Sequence, residues 1–413
     1  MRISTQTLYA QSMRSLNQQQ AELSHVGQQI ASGQRVMRPS DDPQAASRAV
    51  QVSQAQAITS QYTDSRVSAR NALSMEESVL NSVGDAVTSA KTLMLEAANG
   101  TLSNADRASI ASQLQGIYET VLGQANATDG NGRYLFGGYQ DRSMPFVMSG
   151  GAVTYTVTDP SQDTSRQQQI DASRLMDVSD TGSTVFQGTR GATGFMAVAI
   201  RSDGTANAGS VTFQGRPNVV DSNDPNYGTP FKIAFSVDAG GNATYEIQDG
   251  SGTVLQPAQA YQPGEAIQYG GLSLTLDGTP ANGDEIKVDQ AQNLNTDLFK
   301  TFEKALAILK QPADTPAQQA ALQNTLGNAM TEFDSSLDNV LMVRASVGSR
   351  LNELDVVDKV ASNRQINYAQ TKSDLVDLDY NTAISEYSLR TVGLQAAQKA
   401  FVSMRQMNLF DLL

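Results

Sequence analysis

Few residues in this chain have the type and spacing that chemistry requires. His25 is the one histidine in 413 residues, and Cys and Trp are absent. A Ser-His-Asp triad would have to run through His25 alone, and a site built on two histidines cannot form. The missing Cys excludes disulfides, Cys-ligated zinc, iron–sulfur clusters and thiol catalysis. Asp284-Glu285, or separately Asp377 and Asp379, are acidic enough to attract a cation, but no EF-hand spacing surrounds them. They read as solvated turn and helix-end charges. Asp129-Gly130-Asn131-Gly132 fits neither the phosphate-loop nor the dinucleotide pattern, and Asn99-Gly100-Thr101 is a three-residue sequon match that arises often by chance. His25 adjoins Val26 in an apolar helical row and reads as a polar residue at its edge. No catalytic, cofactor-binding or metal-ligating residue is assigned, no cofactor is expected, and the chain is not expected to be an enzyme.

Charge narrows the field further. Lys and Arg total 29 against 42 Asp and Glu, a net charge of −13. Nucleic-acid binding runs on cation–phosphate contacts, so no nucleic-acid partner is expected. Residues 1–30 are polar and Gln-rich, without the apolar core of a secretory signal. No run approaches 18 apolar residues, so no membrane insertion is expected. The length predicts two or three domains.

The elements that would position any function divide sharply along the chain. Most of the 32 Gly and 12 Pro lie between Asp129 and Asn293. Both residues punctuate turns and disfavour helix interiors. The flanks carry helical periodicity instead. Tyr9, Leu16, Leu23 and Ile30 recur at steps of seven, a narrow seam of coiled-coil width. That helix should stop near Gly33. Asp42 and Pro43 suit the N-cap and first position of a long helix reaching about Ala98. Ser103 and Asp106 form a capping-box pattern for the next, which carries Ile110, Leu114, Ile117 and Val121.

At the other end, Leu298, Phe302, Ala305 and Leu309 share one helix face before Pro312. A helix starting at Thr315-Pro316 carries Leu326, Met330, Phe333, Leu337 and Val340, then Val347, Leu351 and Leu354 beyond an interruption at Arg344. A final helix after Asp374 has Tyr380, Ile384, Tyr387, Leu394 and Phe401 in one set. Leu389, Val392, Met404 and Met407 lie on other sides, so more than one neighbour must bury it. Between the arms, 153–157, 231–235, 243–247, 272–276 and 286–288 read as short strands, with a hairpin turn at Gly240-Gly241-Asn242.

The expected fold is mainly α with an inserted β domain. Paired N- and C-terminal long helices form a coiled-coil or helical-bundle rod, and an antiparallel β-rich middle projects outward. The expected divisions are terminal arms at 1–42 and 374–413, a rod at 43–145 and 294–373 with a short hairpin near 133–147, and an outer domain at 146–293. Arms this thin in apolar side chains are expected to be mobile in the monomer and to order on polymerisation.

Ala31-Ser32-Gly33-Gln34-Arg35-Val36 with Pro39-Ser40-Asp41-Asp42-Pro43 resembles the N-terminal signature of the bacterial flagellin superfamily. Val347-Gly348-Ser349-Arg350-Leu351 and Leu378-Asp379-Tyr380 resemble its C-terminal helical region. Met1-Arg2-Ile3-Ser4-Thr5, the Pro-rich break, and Asn131-Gly132-Arg133-Tyr134-Leu135-Phe136-Gly137-Gly138 followed by Pro145-Phe146 place the resemblance on the superfamily's hook–filament junction branch. The resemblance covers roughly 1–150 and 294–413.

It implies a structural component of the bacterial flagellum, located outside the cell and exported by the flagellar type III apparatus without a cleaved signal. The implied partners are the first hook-associated protein on the hook side, flagellin on the filament side, neighbouring copies in a ring, and a cytoplasmic export chaperone. Leu16, Leu23, Ile30, Ile384, Leu394 and Phe401 would then line the inner tube. Arg35, Asp41 and Asp42, at the break between helical layers, would form ion pairs between subunits. Leu394, Phe401, Met404 and Leu409 would meet the chaperone. A filament-forming flagellin and a secreted coiled-coil adhesin or needle-tip protein stay open as alternatives.

Overall fold

The computed structural model describes residues 5–406 apart from Thr158, Pro160, Thr189 and Gln214. The chain is mainly helical at both ends with antiparallel sheet between. It divides into two compact units, one drawing on both ends of the chain up to Ser65 and from Asp355, the other spanning Arg66–Leu354.

The end-derived unit holds α1 (Thr5–Ser32), the start of α2 (Pro43–Ala97), the end of α6 (Pro316–Val376) and α7 (Tyr380–Gln406). α1 stops where the sequence predicts. Gly33 has φ +70° and its N–H donates to the Gln29 carbonyl, a left-handed stop that a side chain would strain. α2 begins at Pro43, with the Asp42 carboxylate accepting the Ala45 N–H at 3.0 Å.

In the second unit, α2 buries Arg66, Ala69, Leu73, Glu76, Leu80, Val83, Val87, Ala90, Met94 and Ala97. These alternate steps of three and four make a heptad seam. Its Ala residues and two charges hide it from a search for large apolar side chains. On α6, Leu326, Phe333, Val340, Val347 and Leu354 are all at most 1% exposed, one row at steps of seven. Met330, Leu337 and Leu351 of the expected seam are only half-buried. The two helices run antiparallel, with Arg344 paired to Glu77 at 3.4 Å and Lys91 paired to Asp334. Shorter α3 (Asn104–Ala125) and α5 (Leu298–Leu309) complete the helical core. The Ser103–Asp106 capping box forms as expected. Tyr118, not Ile117, turns inward on α3, stacking near Phe299 and Phe302 and donating to Glu303 at 2.9 Å.

Two hairpins lead into the outer sheets: β1 (Phe146–Ser149) with β2 (Ala152–Tyr155), and β3 (Gln167–Asp171) with β4 (Arg174–Asp177). A one-turn helix α4 (Gly182–Phe186) follows. Phe146, Phe186 and Phe299 form an aromatic cluster with centroids 4.9–5.6 Å apart, and Phe136 meets Phe186 at 5.3 Å. Phe136 and Phe146, from the Asn131–Gly138 and Pro145-Phe146 motifs, therefore belong to this core.

The remaining strands are β5 (Phe195–Ala199), β6 (Thr212–Phe213), β7 (Asn218–Val219), β8 (Phe231–Val237), β9 (Ala243–Gln248), β10 (Val254–Ala260), β11 (Ala266–Tyr269), β12 (Leu272–Asp277) and β13 (Glu285–Gln290). One sheet has the order β10-β9-β8-β13-β5; the other has β11-β12-β6, with β7 also on β12. Ile233, Phe235, Ile247 and Ile286 of the first share a core with Ile267, Leu272, Leu274 and Leu276 of the second. The predicted segments at 231–235, 243–247, 272–276 and 286–288 each lie in a strand. The edge strand β10 escapes prediction because Pro257 and exposed side chains break its alternation. The inserted β region meets α6 closely: a Cβ on Gly191 would lie 1.9 Å from the Ser335 carbonyl oxygen, and Asn339 Nδ2 donates to the carbonyls of Thr184 and Val185 at 2.8 Å.

Candidate functional site

The site is the helix pair α1–α7, built from residues near opposite ends of the chain. Tyr9 meets Phe401 with ring centroids 5.1 Å apart, Glu22 pairs with Arg390, and the Gly27 position adjoins Tyr387. This register runs the helices antiparallel. Leu16, Leu23 and Ile30 are half-buried along α1, around the fully buried Val26; Leu394 and Phe401 are half-buried on α7. The structure thus brings these five to one helix pair.

Ile384 departs from the expected row. It is 53% exposed, and Ala383 takes the buried position at 4%. A small side chain lets neighbouring helices approach, which turns the larger neighbour outward. Met404 lies within α7, and Leu409 lies outside the described residues.

The sequence break between α1 and α2 is a buckle. The Arg35 N–H donates to the Val376 carbonyl at 2.7 Å, and the Leu378 N–H to the Gly33 carbonyl at 3.0 Å. Arg35 also donates from Nη2 to the Leu375 carbonyl at 2.7 Å and pairs with Asp42 at 3.2 Å. Asp41 accepts the N–H groups of Arg38 and Met37, and His25 lies 3.5 Å from its carboxylate. The Arg38 and Met37 amides hold the Asp41 carboxyl below its ordinary value; the Ala45 amide and Arg35 do the same for Asp42. The three charges expected to bridge subunits therefore have partners within the chain. Asp379 accepts the Asn381 N–H at 3.0 Å and the Thr382 hydroxyl at 2.8 Å, capping α7. The signature segments from opposite ends of the sequence meet here.

The Glu22–Arg390 pair was missed in the sequence because its partners are 368 residues apart. Only the Glu386–Arg390 spacing, four residues on one helix, hinted at a structured charge there; those side chains meet at 2.6 Å.

The acidic groups considered for a cation are engaged elsewhere. Asp284 accepts the N–H groups of Ala208, Gly209 and Ala281 and pairs with Arg201 at 2.9 Å; Glu285 pairs with Lys232 at 3.2 Å. Asp377 accepts the Ser373 hydroxyl at 2.6 Å. Among the described residues no three His, Cys, Asp or Glu side chains gather as a metal site, and no helix is long and apolar enough to cross a membrane.

What the helix pair offers is apolar surface. On α7, Ile384, Leu389, Val392 and Val402 are 51–76% exposed. That surface lies on a helix whose other side is already packed, the pattern of a subunit completed by neighbours.

Comparison with known proteins agrees in kind. Residues 3–141 match the bacterial flagellin N-terminal helical region. The chain is 35% identical to flagellar hook-associated protein 3 of Escherichia coli (strain K12) over 413 residues, covering 100% of this chain and 99% of that protein. It is 32% identical to the protein of the same name from Salmonella typhimurium, with the same coverage. Among solved structures, FlgL of Xanthomonas campestris is 27% identical with a TM-score of 0.66, covering 78% of this chain and 99% of that one. Flagellar hook associated protein-3 of Legionella pneumophila is 25% identical with a TM-score of 0.68, covering 78% and 98%. With a matched N-terminal helical region and relatives more than 30% identical over the whole chain, this protein belongs to the flagellar hook-associated protein 3 family.

Proposed function

We propose that this chain is a structural subunit of the bacterial flagellum that joins the hook to the flagellin filament, acting by helix packing. The observation that carries the reading is the exposed apolar row of α7, Leu389 at 76% and Val392 at 65% above all. Removing such surface from water is worth roughly 25 cal/mol per Å², and within the chain nothing described covers it. The neighbours in this reading are the first hook-associated protein on one side, flagellin on the other, and further copies around a ring. Arms 1–42 and 374–413 form the inner layer of the assembly, and Leu16, Leu23, Ile30, Ile384, Leu394 and Phe401 contribute to its packing. The arms reach full order only in the polymer. Arg35, Asp41 and Asp42 serve it by holding the break between α1 and α2 in shape.

Export without a cleaved signal delivers the chain to the flagellum outside the cell. Before export, a cytoplasmic chaperone covers this end of the chain through Leu394, Phe401, Met404 and Leu409.

The test is the double variant Leu389→Glu with Val392→Glu. Its secretion and monomer helicity should match wild type, whereas cells should carry bare hooks and release unattached flagellin. Normal filaments on the variant would defeat the reading. Long filaments grown by the purified wild-type chain alone would favour a filament role instead.

A further inference from the structure

Glu76 occupies a seam position of α2 between Leu73 and Leu80 and is 1% exposed. One carboxyl oxygen accepts the Asp180 N–H at 3.0 Å; the other is buried with no hydrogen-bond partner. The charged groups around it are already matched. Arg350 of α6 pairs with the Asp180 carboxylate and donates to the Asp177 carbonyl at 3.1 Å. A cavity of about 10 Å³, room for at most one water, separates Glu76 from Asp129, Arg133, Asp141 and Arg166. There Arg166 and Arg133 lie 3.0 and 3.8 Å from Asp141, and Asp129 accepts the N–H groups of Asn131 and Arg133. An ionised Glu76 would be a buried negative charge beside Asp180, offset only by Arg350, which is already paired to Asp180.

We propose that Glu76, Asp180 and Arg350 form a proton-dependent clasp, closed while Glu76 keeps its proton and loosened when it ionises. What the clasp holds is the segment leading into α4. Thr181 caps that helix, and Phe186 enters the aromatic core beside Phe136, Phe146 and Phe299. Burial, with the Asp180 charge adding to it, pushes the Glu76 carboxyl well above its ordinary value. The sign follows: a raised folded value gives stability that is full below the ordinary carboxyl range and is lost as pH rises through the folded value.

Hydrogen exchange of the full chain between pH 5 and 10, corrected for the intrinsic pH dependence, reads the clasp at residues 178–187. Residues 231–237 serve as internal reference. Wild type should lose protection in 178–187 by up to about tenfold per pH unit from the ordinary carboxyl range up to the folded value, the limit for one proton, and level off above it, with the reference unchanged. Glu76→Gln, a neutral isostere, should keep its protection throughout. Asp180→Asn removes the like charge and frees Arg350, which lowers the folded value, so its loss should level off at lower pH and be smaller in total. Flat protection in wild type, parallel loss in E76Q, or an unmoved transition in D180N would overturn the proposal. Failure of E76Q to fold would also overturn it, because it would mean that Glu76 works as an anion.

Discussion

Tyr9 and Phe401 meet with ring centroids 5.1 Å apart, joining opposite ends of the chain across the α1–α7 pair. The contact lies far from the buckle at Gly33 and Leu378, with the Glu22–Arg390 pair between. Three attachments of different chemistry therefore set one antiparallel register.

Phe401→Ala should loosen the open end of that pair. An aromatic contact contributes about 0.5–1.5 kcal/mol beyond its area, so amide exchange near Tyr9 should accelerate roughly two- to tenfold. Exchange at Ile30, beside the buckle, should change less. Hydrogen-exchange mass spectrometry resolves the two ends.

The five-residue row at steps of seven on α6 should dominate the stability of the second unit. Phe333 is 0% exposed and meets Phe302 at 4.8 Å, so Phe333→Ala should cost about 3–5 kcal/mol in chemical denaturation. Leu341→Ala, at a site 47% exposed on the same helix, should stay within about 0.5 kcal/mol.

Asp284 should make the outer sheets acid-sensitive. Burial by itself would raise its carboxyl value, but the amides of Ala281, Ala208 and Gly209 together with Arg201 bring it below the ordinary one. A lowered folded value gives stability that is present above the unfolded value of about 3.9 and is lost as pH falls through the folded one. Asp284→Asn turns one of the oxygens that accept the Ala208, Gly209 and Ala281 amides into a donor and should cost about 1–3 kcal/mol at neutral pH. It should also flatten the acid loss in denaturation curves taken between pH 5 and 2.

Much of the architecture was legible before any coordinates. The Gly33 stop, the Asp42-Pro43 start, the Ser103–Asp106 box and the α5 face are local devices, decided by φ preferences and by side chains a few residues apart. The heptad seam of α2 was not legible, since Ala69, Glu76 and Ala90 look nothing like an apolar row. Ile384 is 53% exposed within the chain, because hydrophobicity says that a side chain favours burial but not in which partner.

The sequence by itself determined the helical arms, the β-rich insertion, the absence of Cys and Trp and the likeness to flagellar proteins. These rest on local propensity, residue chemistry and motif order. Only the tertiary structure decided that Ala383 is buried while Ile384 faces out, that Arg35 donates to the Leu375 carbonyl, and that Glu76 lies buried against Asp180. Each depends on residues far apart in sequence, and the energy of a charge or an apolar group is set by the neighbours that folding brings to it.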